Sequence, residues 1–146
     1  MKIYNHNNDS FELSIKGYKI PESEGILYDS DWLIATISIN SNKEFFNKEL
    51  DLLLVEDFDR ILIWLNEKDQ PKRLEFVDAS FSFLRFKRSN IPFMKIIHQE
   101  FESEEAITWD LHLSEENIKM FTKEVKALQE KFPCRCGLLH DNNNNT

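Results

Sequence analysis

Glycine is scarce in this chain. Gly17, Gly25 and Gly137 are all there is, so none of the glycine-rich loops that cradle phosphates can be built. Cysteine is scarcer still. Cys134 and Cys136 cannot make a disulfide framework, a count that suits a reducing compartment. No apolar run approaches the ~18 residues of a membrane-spanning helix. The polar start, Met1-Lys2-Ile3-Tyr4-Asn5-His6, has no secretory-signal core, so a cytoplasmic location is expected. Positive charge is also short. Eighteen Lys and Arg face 26 Asp and Glu, a formal net charge of -8. Such a field repels nucleic acid and anionic membrane and draws in basic partners.

What is present is core material and clustered acid. Hydrophobic residues make up 41% of 146, with 12 Phe, 3 Trp and 3 Tyr, enough for one folded domain. From Glu100 to Glu116 the chain carries Glu100, Glu102, Glu104, Glu105, Asp110, Glu115 and Glu116, and no Lys or Arg occurs between Lys95 and Lys119. Smaller acidic groups are Glu22, Glu24, Asp29 and Asp31, then Glu49, Asp51, Glu56, Asp57 and Asp59. One cluster alone reads as a solvated surface. Three on a small chain point to a basic protein partner.

The patterning is strand-first. Phe11, Leu13 and Ile15 alternate with polar residues, and Trp32 to Asn40 is a longer β-branched run. Asn40-Ser41-Asn42-Lys43 reads as a hairpin turn leading into extended structure over 44–53. Phe58, Ile61, Leu62 and Leu65 share one helical face, with Asp57 as the expected N-cap and Asp69-Gln70-Pro71 as the stop. Four strands follow, Arg73–Val77, Ser80–Lys87, Phe93–Phe101 and Ala106–Leu113, separated by short polar turns. In the last, Ile107, Trp109, Leu111 and Leu113 are expected to point inward. Ser114 caps a closing helix with the apolar stripe Ile118, Phe121, Val125, Leu128 and Phe132, and Pro133 ends it.

Runs of strands with short connections favour antiparallel neighbours over βαβ units. The expected architecture is therefore α+β: an antiparallel sheet of about seven strands packed with two helices. One domain over 1–136 should be followed by a disordered polar tail over 137–146.

Catalytic chemistry finds little support. No Gly-x-Ser-x-Gly elbow occurs. His98-Gln99-Glu100 with Pro133-Cys134-Arg135-Cys136 echoes the zinc deaminase pattern. The echo fails because Cys-x-Cys is one residue short of the spacing that lets both thiolates converge, and Pro133 ends a helix instead of opening one. An ordinary strand histidine and two surface thiols beyond the last packed turn are the simpler reading. His140 and Asp141 could join them only in a weak, adventitious metal site. No catalytic residue, metal or cofactor is expected. Trp32, Trp64 and Trp109 read as core, with acid-flanked Trp32 the best exception as an interface anchor.

Phe11-Glu12-Leu13-Ser14-Ile15-Lys16-Gly17-Tyr18-Lys19-Ile20-Pro21 followed by Tyr28-Asp29-Ser30-Asp31-Trp32-Leu33 resembles the opening of the WapI-type immunity proteins. The likeness continues through Ile61-Leu62-Ile63-Trp64-Leu65 and Ser80-Phe81-Ser82-Phe83 to Phe132-Pro133-Cys134-Arg135, roughly residues 10 to 135. Val55-Glu56-Asp57-Phe58 and the asparagine tail depart from it. The resemblance implies a non-enzymatic inhibitor that binds a cognate toxin domain of bacterial competition systems, often a nuclease with a basic groove. The candidate partner-binding residues are Asp29, Asp31, Trp32, Glu102, Glu104 and Glu105, on two turns taken to be adjacent. Two rival classes stand beside this reading. One is a small enzyme using carboxylates such as Glu100 and Asp110, and the other a regulatory domain with a carboxylate-lined pocket.

Overall fold

Period-two alternation builds most of the molecule. The structure is a computed structural model that describes residues 2–4, 8–20, 31–41, 44–67, 72–76 and 80–135. Its strands are β1 (Lys2–Tyr4), β2 (Ser10–Tyr18), β3 (Trp32–Ser41) and β4 (Glu44–Leu54), then β5 (Arg73–Glu75), β6 (Phe81–Arg88), β7 (Ile91–His98) and β8 (Ile107–His112). Helix α1 (Asp57–Asn66) separates the two groups, and α2 (Glu115–Lys131) follows the last strand. The α+β class holds. The single sheet becomes two four-stranded antiparallel sheets, β1-β2-β3-β4 and β5-β6-β7-β8, because α1 interrupts the run of strands. Eight strands among the described residues replace the expected seven.

Alternation decides which face of each sheet is dry. Leu33, Ala35, Ile37 and Ile39 of β3 are buried, and across the register they meet Phe11 and Leu13 of β2. Phe81 and Phe83 of β6, Met94 and Ile96 of β7, and Trp109 and Leu111 of β8 line the inner face of the second sheet. The sheets meet through Phe11 and Phe83, edge to face at 5.6 Å. Phe11 also lies 6.4 Å from Phe121 of α2, while Phe83 touches Trp64 of α1 at 6.0 Å. One aromatic junction therefore ties both sheets to both helices. Offset and edge-on ring pairs of this kind add to the apolar burial itself.

Of the expected core, Phe11, Leu13, Trp109, Leu111, Phe121 and Val125 are buried, and Ile15, Ile118 and Leu128 pack partly buried against them. Ile107 is the exception at 45% exposure. It pairs with His98 at the open end of the edge strand, beyond the cover of the other sheet. The third long strand also stops at His98, not Phe101, so residues 99–106 form a loop.

Helix termini show one correct cap and one correction. The Ser114 hydroxyl accepts from the Asn117 N–H at 3.1 Å. Glu56, not Asp57, precedes α1, and Asp57 lies inside the first turn, fully buried. Its carboxylate accepts from the Leu54 N–H at 2.9 Å and pairs with Arg60 at 2.7 Å. The far end of α1 has no basic residue in its last turn. Arg85 supplies one from β6: its Nη1 donates to the carbonyls of Leu65 at 2.6 Å and Trp64 at 3.3 Å. A cation there offsets the negative end of the helix dipole and satisfies carbonyls that the helix leaves free. Burial lowers the Arg85 pKa, yet a guanidinium stays charged across the working range.

The hairpin from β6 to β7 turns through Ser89 and Asn90, at φ 51° and 64°. Two left-handed residues make the turn that matches strand twist. The turn expected at Asn42-Lys43, the stop at Asp69-Gln70-Pro71, the end of the strand at Val77 and the polar tail lie outside the described residues.

Two stability outcomes follow. Phe121→Ala should lower the unfolding free energy by about 3–5 kcal/mol in urea titration, the usual range for a fully buried phenylalanine. Arg85→Met should cost about 2–3 kcal/mol by leaving buried carbonyls unmet. Arg85→Lys should recover only part of this, because an ammonium lacks the guanidinium fork. A neutral Arg85→Met would refute the capping role.

Candidate partner-binding site

Residues 99–106 connect β7 to β8, and every residue from Phe101 to Glu105 is exposed. The loop is nonetheless ordered by its own hydrogen bonds. The Ser103 N–H donates to the Glu100 carbonyl at 3.0 Å, closing a β-turn with Phe101 and Glu102 at its corner. The Ser103 hydroxyl accepts from the Glu105 N–H at 3.2 Å, and the Gln99 side-chain amide donates to the Ser103 carbonyl at 3.2 Å. Ser103 is the hub of the loop.

Beneath it lies an aromatic floor. Phe46 of β4 sits 5.9 Å from Phe81, 5.3 Å from His98 and 5.1 Å from Trp109. His98 is 3% exposed and stacks on Phe81 at 4.3 Å. Its Nδ1 lies 3.2 Å from the Ser80 carbonyl, which can only accept, so Nδ1 carries the proton. A cleft of about 340 Å³ between floor and loop is lined by Phe46, His98, Glu100, Ser103, Glu105 and Ile107.

Charge divides the loop's acids. Lys48 of β4 donates to Glu100 at 3.0 Å, tying the loop to the other sheet. That hydrogen bond, then the lysine charge, holds the Glu100 carboxyl below its ordinary value of 4.5. Glu102, Glu104 and Glu105 have no ion pair among the described residues. Several acids elsewhere are matched, Glu12 with Lys2, Glu49 with Lys16, Asp51 with Lys19, and Asp110 with Arg88, while Glu56, Glu115 and Glu116 have no ion pair among the described residues.

The other candidate residues lie elsewhere. Asp31 precedes β3 and is buried. Its Oδ1 accepts from the Arg135 N–H at 2.7 Å, and its Oδ2 lies 3.0 Å from Cys134 Sγ. Trp32 is half-buried on the outer side of β3, unlike Trp64 and Trp109, which are core. Asp29 lies outside the described residues. From Trp32 to Ile39, the partner of Phe46, β3 runs roughly 23 Å at ~3.3 Å per residue. Glu102, Glu104 and Glu105 are thus brought together, and Asp31 and Trp32 are not brought to them.

The segment after α2 also differs from expectation. The chain does not leave the core at Pro133. Tyr18 donates its hydroxyl to the Pro133 carbonyl at 2.5 Å, and Arg135 stacks 3.4 Å from the Tyr18 ring centre and donates to the Ile20 carbonyl at 3.0 Å. Cys134 is disulfide-bonded rather than a free surface thiol, and Cys136 lies outside the described residues. Cys134 stands beside Asp31, at the end of β3 away from His98, so Cys134 and His98 are not brought together. Next to this clasp a second cleft, about 400 Å³, is lined by Asp31, Val55, Glu56, Asp59 and Pro133 among others. No group of three His, Cys, Asp or Glu side chains is placed to hold a metal among the described residues. No helix among them is long and apolar enough to cross a membrane.

The outline is two antiparallel meanders, an intervening helix and a closing helix, with a carboxylate-rich loop at one end. A family model for WapI-like immunity proteins matches residues 2–133. The chain belongs to the WapI-like immunity protein family. No curated protein and no solved structure matches it. The matched span runs through both sheets, both helices and the acidic loop.

Sequence reasoning missed two residues of this site. Phe101 had been placed at a strand end, but it is a fully exposed turn residue. Its signal was a lone aromatic flanked by Glu100 and Glu102, with no alternation continuing past it. Lys48 gave no signal, because its pairing with Glu100 is purely tertiary.

The Lys48–Glu100 tie predicts a pH effect. A carboxylate whose folded pKa is depressed stabilises the fold above its unfolded value, and the gain is lost as pH falls through the folded value. In an NMR titration Glu100 should ionise below 4.5, and Lys48→Ala should move it up towards that value. An unmoved Glu100 would remove the tie.

Proposed function

We propose that this protein neutralises a cognate toxin domain by binding it, without catalysis, through the acidic loop at residues 99–106. The observation that carries this reading is the exposed, unpaired set Glu102, Glu104 and Glu105 on an internally hydrogen-bonded turn. Carboxylates left without counter-ions cost self-repulsion, which a cationic partner relieves. A basic groove, such as that of a nuclease, is the complement. Oppositely charged rims steer encounter and raise the association rate, an effect that weakens as salt screens it. Loops carry such contacts without disturbing the scaffold. Trp32, half-buried at the other end of β3, is a separate second contact, and the buried Asp31 takes no part in it.

A specific observation also favours a ligand-binding reading. The 400 Å³ cleft sets Glu56 and Asp59 beside the apolar side chains of Leu54, Val55 and Pro133, suited to a small organic cation. Genomic setting separates the two. An adjoining frame ending in a toxin domain favours inhibition, and a metabolic operon favours the cleft.

The direct test is co-expression with the toxin domain encoded beside this gene. Wild type should protect the cell and form a complex at low salt. The triple reversal Glu102→Lys, Glu104→Lys and Glu105→Lys should associate at least ~10-fold more slowly, with a flattened salt dependence. Failure of the wild type to protect or bind sinks the toxin reading. Unchanged association by the reversal variant moves the interface to Glu56 and Asp59, since Glu49 and Asp51 are already matched by Lys16 and Lys19.

A further inference from the structure

We infer that Phe101 is the anchor of the interface, entering an apolar pocket rimmed by Lys and Arg on a basic protein partner. The inference rests on the toxin-binding reading and adds what holds the complex once charge has brought it together.

Phe101 is fully exposed, with relative accessibility of 104%, the most open large apolar side chain among the described residues. It touches no other ring there, although an aromatic cluster lies under the same loop. Phe46, Phe81, His98 and Trp109 engage one another and leave Phe101 outside. The fold does not use this ring. Yet the fold holds it in place. The Ser103 N–H to Glu100 carbonyl bond puts Phe101 at the corner of a closed turn, and Lys48 and the Gln99 bond to the Ser80 carbonyl fix the base of the loop. A preordered aromatic loses little conformational freedom on docking, which is the property of a binding anchor. Phenylalanine has two χ angles and a large apolar surface, and anchors of this kind sit in a ring of near-neutral polar contacts.

The chemistry of the surroundings chooses the occupant. Glu100 and Glu102 flank the ring, and Glu104 and Glu105 follow on the same loop. Carboxylates at this density repel phosphate and anionic lipid, so stacking on a nucleobase or insertion into a bilayer is disfavoured. A purely apolar partner would desolvate the carboxylates without return. A pocket with cationic edges meets both demands: the ring enters, the acids pair at the rim, and a partner guanidinium can lie on the ring face.

The measurement uses the full chain and the toxin domain encoded by the adjoining reading frame, in stopped-flow association and dissociation at two salt concentrations. Phe101→Ala should associate within about 2-fold of wild type and dissociate roughly 30-fold faster or more, the behaviour of a truncated hot spot. Phe101→Trp should keep most of the wild-type lifetime. The Glu102, Glu104 and Glu105 reversal should show the opposite split, slow association with a nearly unchanged dissociation rate. Because Phe101 has no part in the core, the melting temperature of Phe101→Ala should equal that of wild type. A matching loss of stability would mark a structural role and overturn the inference.

The remaining outcomes are also decisive. If the wild type binds and the reversal slows association, but Phe101→Ala dissociates like wild type, the anchor is wrong and the toxin reading stands. If the wild type does not bind, both fall together. Self-association of the wild type that Phe101→Ala abolishes would give the ring to a second copy of this chain and overturn the anchor.

Discussion

The edge-to-face contact of Phe11 and Phe83 is the constraint on which the rest of the structure depends. Both rings are fully buried, one on each sheet, and between them they reach Phe121 of α2, Trp64 of α1 and Phe76. The described clefts lie at the rim of this apolar interior, where strands end and loops begin.

Charge is distributed by the same logic. Ion pairs cross the first sheet: Lys2 to Glu12 joins neighbouring strands, while Lys16 to Glu49 and Lys19 to Asp51 reach from β2 or just beyond it across β3 to β4. Pairs this exposed contribute little stability, but they cancel the field locally. Asp31 and Asp57 are buried, engaged with Arg135 and Arg60, and so are lost to any partner. The net charge of -8 is therefore not spread evenly. Three carboxylates without an ion pair among the described residues, Glu102, Glu104 and Glu105, stand together on one exposed loop.

Local signals were the legible ones. Ser114 with the stripe through Phe121 and Val125 marked α2 because capping and a 3.6-residue period are written in neighbouring residues. The alternation at Phe11 and Leu13 likewise named the buried side of β2. The division into two sheets was not legible, since strand pairing depends on which apolar faces meet, and Phe11 gives no hint that its partner is Phe83. The same limit explains Asp31. Its acid-rich neighbourhood suggested a solvated turn, whereas the Arg135 backbone, a hundred residues later, takes the carboxylate inward. The acid of residues 102–105 was visible as composition, but its freedom from counter-ions was not. Lys48 lies 52 residues from Glu100, and only the fold shows that it serves that acid and no other in the loop.

A loop that is both charged and rigid resolves a conflict between solubility and recognition. Burying a phenylalanine contributes about 1.5–3 kcal/mol, so a fold that leaves Phe101 in water forgoes that gain and risks non-specific association. Surrounding the ring with carboxylates suppresses contact with neutral or acidic surfaces, because docking there would strip water from charges that find no partner. Only a surface bearing compensating cations escapes that penalty. Placing the ring at the corner of a hydrogen-bonded turn then keeps the cost of ordering low when the right surface arrives. In the proposed interface the acids act as a filter before contact and the ring as a hold after it. The aromatic floor of Phe46, Phe81, His98 and Trp109 keeps the two functions in one fixed geometry.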